Sequence, residues 1–388
     1  MQPIHQRVPV TLSYTVHFTT GLFAGANPLL AQVIAQDKAG EPKKILAVLD
    51  RGVWDCHPGL PVALAAYACH YPGVLALAEP PLVVPGGEQA KNDPGLVTLI
   101  HEAIDRARLC RHSFVLGIGG GAVLDLVGYA AATAHRGVRL IRVPTTVLAQ
   151  NDSGIGVKNG INGLGKKNFL GTFAPPYAVI NDRNFLTTLE DRDWHSGIAE
   201  AVKVALIRDR EFFDFIAQHT VALRQRDPDT MAQLIYRCAQ LHLQHIATGG
   251  DPFEQGSSRP LDFGHWAAHR LEHLTQYRLR HGEAVAVGMA LDATYSYLAG
   301  WLAYSDWERV LGVLEGVGLA CYRPECLPHA LFPGLEEFRE HLGGRLTLTL
   351  LAGLGQGVEV HAVDWLRYQE AIALLSRRSA PSALVVRG

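Results

Sequence analysis

The sequence predicts two domains of different class: an α/β domain over residues 1–190, followed by an all-α domain over residues 191–388. In the first half, short apolar runs alternate with amphipathic stretches, which is the pattern of a mainly parallel sheet with helices on its faces. From about Trp194 the pattern changes to long amphipathic segments, which indicates packed helices. A chain of 388 residues is long enough to bury two such cores.

The individual elements follow from the apolar runs and the turn residues beside them. In the first domain, strands are expected at 43–50, 80–86 and 138–146, with a helix at 92–109. The segment 113–133, SFVLGIGGGAVLDLVGYAAAT, is expected to form a strand, a glycine-rich turn and a helix. In the second domain, helices are expected at 196–219, 230–247 and 282–303.

Composition narrows the classes of partner. A formal net charge of -2 gives no field for binding nucleic acid or an anionic membrane. The chain has no run of about 18 apolar residues and its first residues lack the apolar core of a signal peptide, which predicts a cytoplasmic protein. The six cysteines form no CxxC pair, so a bound metal would have to use histidine and carboxylate ligands.

Lysines are scarce and clustered. Four of the eight lysines lie at positions 158, 166, 167 and 203, and none follows. In so arginine-rich a chain, these positions favour a use for compact charges with tunable pKa. The alternative is chance clustering on a solvated surface.

Three strand ends carry groups suited to a nucleotide. In GIGGGAVLD, a helix opens directly after a buried strand, so the free N–H groups around Gly119–Gly121 suit a diphosphate. Such turns also serve packing alone, and the full G-x-G-x-x-G spacing is missing. Asp50, Glu88 and Lys91 follow other strands, where they could reach ribose hydroxyls.

The second domain places ionisable groups within apolar helices. Glu200 and Lys203 lie three residues apart in a helix that is apolar on nearly all sides, which predicts either an internal ion pair or a bound metal. His265 and His269 share a helix face, and His281 begins the next helix. Two or three histidines with one carboxylate make an open zinc site, although i,i+4 histidine pairs are also common in cores and on surfaces. Acidic residues in the same helical regions favour the metal interpretation; these are Glu200, Asp262 and Glu283.

Several long motifs resemble one known family. They are GGGAVLDLVGYAAATAHRGV, VPTTVLAQNDSGIGVKNGIN, GKKNFLGTF, GIAEAVKVALI, DFGHWAAH and RHGEAVAVGMALD. In this order, over most of residues 40–300, they resemble the dehydroquinate synthase superfamily, the sugar phosphate cyclases. The resemblance implies a Rossmann-like NAD-binding α/β domain, an all-α metal-binding domain, an active site between them, and a homodimer.

The resemblance also implies roles for individual residues. The implied ligands of one divalent ion, Zn²⁺ or Co²⁺, are Glu200, His265 and His281. Implied contacts to substrate or phosphate are Arg136, Asp152, Lys158, Lys167, Asn168, Lys203 and His269, with Asp262 turned toward the substrate. Implied NAD-binding residues, together with Asp50, Glu88 and Lys91, are Gly119, Gly120, Gly121, Asp125, Thr145, Thr146, Asp152, Lys158 and Lys167.

The sequence departs from dehydroquinate synthase where that enzyme binds a substrate carboxylate. Ser258 stands in place of an arginine, Gln244 in place of a lysine, and Asp262 in place of an asparagine. An added carboxylate repels a carboxylate but accepts hydrogen bonds from sugar hydroxyls. In these segments the chain resembles the cyclases of secondary metabolism that take sedoheptulose 7-phosphate. The alternative is that Arg259 or Arg339 has taken over the lost role.

The expected function is therefore a phosphate-eliminating lyase that uses NAD catalytically and converts sedoheptulose 7-phosphate to 2-epi-5-epi-valiolone. Related products, 2-epi-valiolone and desmethyl-4-deoxygadusol, stay open, as does 3-dehydroquinate synthase itself. Two rivals belong to other classes. One is a metal- and NAD-dependent polyol dehydrogenase of the glycerol dehydrogenase type, which does not need the lysine-rich segment. The other is a catalytically silent NAD-binding regulator, which does not need a complete ligand set.

Overall fold

A computed structural model describes residues 2–37, 40–164, 166–249, 253, 260–341 and 343–380. The chain forms two compact units. Unit 1 runs to Pro144 and includes Gly156–Asn184, whereas unit 2 holds Thr145–Ile155 and the chain from Phe185 onward. The chain thus leaves unit 1 at residue 145 and returns to it at residue 156. The sequence patterns predict instead a single division near residue 190.

Unit 1 is built on a parallel sheet with a separate hairpin. Its strands are β1 (Thr15–Thr19), β2 (Lys43–Asp50), β3 (Leu75–Leu77), β4 (Leu82–Val84), β5 (Phe114–Gly119), β6 (Arg139–Pro144), β7 (Lys158–Gly163), β8 (Lys166–Phe173) and β9 (Ala178–Asp182). The sheet order is β1-β9-β6-β5-β2-β3, with β4 also paired to β2, and every pairing in it is parallel. Strands β7 and β8 form an antiparallel hairpin of their own.

Helices follow the strands of unit 1 as the alternating pattern predicts. They are α1 (Leu29–Ala35), α2 (Arg51–Cys56), α3 (Leu60–His70), α4 (Pro94–Arg106) and α5 (Gly121–Thr133). The start of α4 shows why a helix begins at this point in the sequence. The Asp93 side chain accepts a hydrogen bond from the Gly95 N–H at 2.8 Å, and proline occupies the first helical position. Strand β5 is buried along its whole length, as expected for a parallel strand covered on both faces.

Unit 2 is helical with one small hairpin. Its helices are α6 (Asp191–Arg208), α7 (Arg210–Gln218), α8 (Thr220–Arg224), α9 (Pro228–Thr248), α10 (His265–Leu274), α11 (His281–Leu298), α12 (Tyr304–Gly316), α13 (Pro328–Leu331), α14 (Pro333–His341) and α15 (Trp365–Ser379). Strands β10 (Leu348–Gly353) and β11 (Gln356–Val360) pair antiparallel. The predicted fold class, α/β followed by helical, is confirmed, whereas the sequence analysis predicted neither the β7–β8 hairpin nor the β10–β11 hairpin.

The predicted helix at 196–219 is two helices in the structure. The chain breaks at Asp209, which leaves helical geometry and accepts a hydrogen bond from the Phe212 N–H at 3.0 Å. Aspartate is a favoured N-cap because its side chain satisfies an N–H that the first turn leaves free. The apolar periodicity continues across this cap, which is why pattern alone joined the two helices.

A buried carboxylate joins three helices of unit 2. Asp292 on α11 accepts hydrogen bonds from Trp266 Nε1 at 2.9 Å, the Gly264 N–H at 3.0 Å and Tyr368 Oη at 2.8 Å. Burial raises the pKa of Asp292 to about 7, although these donors lower it. The network fixes the start of α10, where His265 lies, against α11 and α15.

Close backbone contact accompanies this network. Gly264 has a φ of +78°, a conformation that glycine adopts without strain. A Cβ added to Gly288 on α11 would lie 1.9 Å from the Gly264 carbonyl oxygen. The glycines at both positions therefore allow α11 to approach the turn that precedes α10.

The segment Thr145–Ile155 belongs to the core of unit 2. It contains a π-helical turn, Ala149–Ser153, and Val147 is buried among the helices. The Asn151 amide donates a hydrogen bond to the Gly197 carbonyl at 2.9 Å. A Cβ added to Gly197 would lie 2.4 Å from the Val147 Cβ, so α6 needs glycine there.

Among the described residues, no helix combines the length and the apolar character that crossing a membrane requires.

Candidate active site

One carboxylate and two imidazoles converge in unit 2. Glu200 lies in the middle of α6, and His265 and His281 are the first residues of α10 and α11. The Nε2 atoms of His265 and His281 stand 3.6 Å and 3.4 Å from Glu200 Oε1. The three ligand atoms lie within 4.8 Å of one another. The structure thus brings together the three residues that the sequence analysis expects to bind a metal.

These residues fit a divalent ion. The Nδ1 atom of His265 donates to the Phe263 carbonyl at 3.1 Å, and Nδ1 of His281 donates to the Glu272 carboxylate at 3.3 Å, so each Nε2 is left for a ligand. Among the described residues, neither oxygen of the fully buried Glu200 accepts a hydrogen bond of ordinary geometry. Ligands at 2.0–2.1 Å from a tetrahedral ion stand about 3.3 Å apart, close to the separations found here.

The electrostatics keep Glu200 and His265 in the forms that bind a metal ion. Burial alone would raise the pKa of Glu200, but the Lys203 ammonium and His281 lower it to about 2. Burial, together with the neighbouring Lys203 and His281, holds the pKa of His265 well below its usual range. The result is an ionised carboxylate beside a neutral imidazole, which is the donor set that metals bind.

Lys203 forms an internal ion pair with Glu200, which the sequence predicts as the alternative to a bound metal. Its Nζ contacts Glu200 Oε2 one helical turn away, and the side chain is buried. Burial favours the neutral amine, but the carboxylates of Glu200 and Asp152 outweigh it and raise the pKa of Lys203. The charge of Asp262 acts in the same direction. An ion pair and a metal site are therefore compatible here, with a fixed ammonium next to the three ligands.

Two further predicted residues lie around this group. His269, one turn after His265, is exposed, and the two rings meet edge to face with centroids 5.5 Å apart. Asp262 is half-buried in the turn before α10.

His242 was missed by the sequence analysis. It lies on α9 with its Nδ1 atom 2.7 Å from Asp152 Oδ1. Burial would raise the pKa of Asp152, but His242 and Lys203 lower it despite the opposing charge of Glu200. The available signal was helical spacing, because position 242 follows the buried Cys238 by four residues and so shares its face.

In unit 1, three consecutive glycines form the turn between β5 and α5. Gly119 ends β5, Gly120 caps α5 without a side-chain hydrogen bond, and Gly121 is the first helical residue. A Cβ at Gly119 would lie 3.0 Å from both the Asp50 Cβ and the Val123 Cβ. Asp50 itself caps α2, accepting from the Gly52 N–H at 2.8 Å, and burial raises its pKa.

Four predicted residues of unit 1 meet at one buried ammonium. Lys91 Nζ lies 2.9 Å from Asp125 Oδ2, contacts Asn168 Oδ1, and lies 3.9 Å from Glu88 Oε1. Asn162 donates to Glu88 at 3.3 Å and accepts from the Asn168 N–H at 2.9 Å. Lys91 is therefore a brace between α5 and the β8 strand, a role that the sequence analysis did not assign to it.

Of the remaining predicted residues, two lie on the β7–β8 hairpin of unit 1 and two at the start of the segment 145–155 of unit 2. Lys158 is exposed at the start of β7, where its carbonyl accepts from Arg142 at 2.8 Å, and Lys167 on β8 is half-buried. In unit 2, Thr145 is buried and the Thr146 hydroxyl accepts from the Ala149 N–H at 3.1 Å.

Arg136 is exposed with a φ of +65°, and among the described residues its side chain forms no ion pair or hydrogen bond. The structure describes two of the four residues discussed for the carboxylate-binding positions of dehydroquinate synthase. Gln244 is exposed on α9, and Arg339 pairs with Glu336 at 2.8 Å. Ser258 and Arg259 lie outside the described residues.

Comparisons with known proteins agree with this geometry. The 3-dehydroquinate synthase N-terminal model matches residues 81–196, and the 3-dehydroquinate synthase C-terminal model matches residues 197–333. The 3-dehydroquinate synthase of Halorhodospira halophila is 41% identical over 261 residues, which is 67% of this chain and 73% of that protein.

Solved structures show the same fold. ValA, a 2-epi-5-epi-valiolone synthase from Streptomyces hygroscopicus subsp. jinggangensis 5008 with NAD+ and Zn2+ bound, is 31% identical with a TM-score of 0.86, over 97% of this chain and 100% of that chain. A 2-deoxy-scyllo-inosose synthase complexed with carbaglucose-6-phosphate, NAD+ and Co2+ shares the fold at 23% identity and a TM-score of 0.74, over 92% of this chain and 95% of that chain. By its two matched regions and its sequence relatives, the chain belongs to the 3-dehydroquinate synthase family.

Proposed function

We propose that this protein is a sugar phosphate cyclase that uses NAD and one divalent metal ion. The observation that carries the proposal is the convergence of Glu200, His265 and His281 beside the buried ammonium of Lys203. The polyol dehydrogenase and regulator alternatives account less well for this combination, because neither needs a fixed cation next to a complete ligand set. The proposed reaction oxidises a ring carbinol, eliminates phosphate, returns the hydride and closes a carbocycle by an aldol step.

NAD would supply the transient hydride acceptor, and the ion held by Glu200, His265 and His281 would polarise sugar oxygens. The chain's own residues hold and orient the substrate. Lys203 stays protonated beside its carboxylates and presents a charge to the departing phosphate. We propose that cationic and hydrogen-bonding contacts to the substrate come also from Lys158, Lys167, Asn168 and Arg136. His269 is proposed to contact the substrate from the middle of α10.

For NAD, we propose that the glycine turn at Gly119–Gly121 receives the diphosphate through N–H groups at the positive end of α5. Asp50, Glu88, Lys91 and Asp125 are proposed to lie along the dinucleotide, where Lys91 holds two of them in place. Three more residues are proposed as NAD contacts, namely Thr145, Thr146 and Asp152.

We further propose sedoheptulose 7-phosphate as the substrate and 2-epi-5-epi-valiolone as the product. Asp262 supports this choice, because a carboxylate whose charge already acts on Lys203 favours hydroxyl groups over a substrate carboxylate. Replacement of two cationic partners by Ser258 and Gln244 supports it as well. The likeness to a 2-epi-5-epi-valiolone synthase over nearly the whole chain agrees with it. The second candidate is 3-dehydroquinate synthase, which the sequence similarity to the Halorhodospira halophila enzyme favours.

Turnover of the two substrates tests the choice. Loss of two charge-assisted hydrogen bonds, worth about 1.5–3 kcal/mol each, should disfavour the acidic precursor of 3-dehydroquinate by roughly two to four decades in kcat/KM. Phosphate release and product NMR would measure this with either substrate. Comparable turnover of the acidic substrate would refute the proposal. Asp262→Asn should narrow the discrimination, and a stoichiometric rise of NADH absorbance would instead favour a dehydrogenase.

A homodimer in the cytoplasm completes the proposal. Strand β8 exposes apolar side chains that a second copy could cover, namely Phe169, Leu170 and Phe173. The six cysteines are unpaired, as in proteins of reducing compartments. Sedimentation of the purified chain with and without Phe169→Lys would test the dimer.

A further inference from the structure

Glu272 is a buried acid to which the sequence analysis assigns no role. It lies on α10 two helical turns after His265, with a relative exposure of 4%. Its Oε1 atom accepts a hydrogen bond from His281 Nδ1 at 3.3 Å. A buried carboxylate costs stability unless something compensates for its desolvation, so a function in positioning is worth testing.

The His281 ring is contacted at both nitrogens. Its Nδ1 faces Glu272, while its Nε2 lies 3.4 Å from Glu200 Oε1. Because the carboxylate in this position accepts a hydrogen bond from Nδ1–H, the proton stays on Nδ1 and the Nε2 atom carries the lone pair. The Glu272 side chain thereby selects the tautomer that faces Glu200 and His265.

His265 reaches the same state by a different route. Its Nδ1 donates to the backbone carbonyl of Phe263 at 3.1 Å, which no substitution removes. Only His281 depends on a replaceable side chain for its orientation. The two ligands therefore differ in a way that mutagenesis can separate.

We propose that Glu272 is a positioning residue that fixes the orientation and tautomer of His281 and strengthens its bond to a divalent metal ion. The proposal rests on the proposed metal centre, to which it adds a residue that contacts a metal ligand and not the metal ion itself. A carboxylate behind a ligating imidazole makes the other nitrogen more basic, and loss of such a partner typically weakens metal binding by about 10–100-fold.

The test is a titration of the full-length, metal-free protein with Zn²⁺ alone against a competing chelator. Glu272→Gln keeps the shape of the side chain but removes the charge, and should weaken Zn²⁺ binding by about 10–100-fold. Glu272→Asp keeps the charge and should recover part of the affinity. The matched control is Glu337→Gln, which removes a carboxylate paired at 2.9 Å with Arg270 of the same helix and should leave the affinity unchanged. With Co²⁺ as the probe, the d–d absorption of Glu272→Gln should also change.

Each result separates the possibilities. Failure of the unmodified protein to bind Zn²⁺ would refute the metal centre itself. Zn²⁺ binding by Glu272→Gln within twofold of the unmodified protein would refute the positioning role alone. A lower unfolding temperature of the metal-free variant with unchanged Zn²⁺ affinity would show that Glu272 acts only in folding. Equal losses in Glu272→Gln and Glu272→Asp, each parallel to a loss of stability, would lead to the same conclusion.

Discussion

Removing the Tyr368 hydroxyl tests how the buried Asp292 is held. Tyr368→Phe deletes the 2.8 Å hydrogen bond to Asp292 Oδ1 and leaves the ring in place between α11 and α15. Two donors then remain to the carboxyl group, Trp266 Nε1 and the Gly264 N–H. Because the side chain is buried, water does not replace the lost donor.

The size of the effect should depend on pH. Burial raises the pKa of Asp292 from 3.8 to about 7, so the group is protonated in the folded protein at pH 5.5 and ionised at pH 8. For an acid whose pKa is raised by folding, its contribution to stability is full below pH 3.8 and is lost as pH rises through about 7, a difference of about 4 kcal/mol. A hydrogen bond to a charged group contributes about 1.5–3 kcal/mol and one to a neutral group about 0.5–1.5 kcal/mol. Tyr368→Phe should therefore lower the free energy of unfolding by about 1 kcal/mol more at pH 8 than at pH 5.5.

Urea unfolding of the metal-free protein, followed by circular dichroism at both pH values, measures this difference. The matched control is Tyr295→Phe, because the Tyr295 hydroxyl accepts from the Asp364 N–H at 2.9 Å and its ring packs against Tyr368 in a tilted arrangement with centroids 4.4 Å apart. That neutral bond should give a loss independent of pH. An equal loss for Tyr368→Phe at both pH values would refute an ionised Asp292 at pH 8.

Three further predictions concern packing and the candidate site. Gly288→Ala should destabilise the protein by about 1–3 kcal/mol in thermal unfolding, because the added Cβ would meet the Gly264 carbonyl. The control is Gly312→Ala on α12, where a Cβ would meet no other atom within 4 Å, and it should be neutral or stabilising by up to about 1 kcal/mol. His242→Phe removes the partner that lowers the pKa of Asp152, so the acid side of the kcat/KM profile should move to higher pH; an unmoved profile would show that Asp152 does not act as an ion. Lys203→Met should lower kcat/KM for phosphate release by at least about tenfold through loss of a charged hydrogen-bond donor, whereas Lys44→Met, which loses only a 3.3 Å bond to the Ala107 carbonyl, should retain activity.

The parts of the fold that the sequence predicted are those with a strong local signal. Strand β5 is a continuous apolar run because it is buried on both faces, and the glycines after it mark the turn into α5. The break at Asp209 was missed because the apolar periodicity is the same on both sides of it. Thr145–Ile155 belongs to unit 2 because of contacts with residues far away in the sequence, and such contacts cannot be predicted from the local pattern.

The candidate site shows the same limit. Motifs pointed to Glu200, His265 and His281, and the structure brings them together. His242 escaped notice because its partner Asp152 lies far along the chain, and a single histidine on a helix gives no periodic signal. The bracing role of Lys91 likewise depends on contacts with α5 and β8 that only the tertiary structure forms.

Thr145–Ile155 belongs to unit 2 but lies between two parts of unit 1 in the sequence, and this affects how the protein folds during synthesis. A C-terminal fragment beginning at Phe185 would lack Val147 and Asn151, and its core would open around Gly197. During translation at about 5–20 residues per second, this segment emerges on the order of ten seconds before the end of α9, which packs against it together with α6. Until then the nascent first unit must carry an apolar loop without its final cover. Co-expressed halves split at residue 184 should therefore need each other in order to fold, and early arrest of translation should leave a species that chaperones bind.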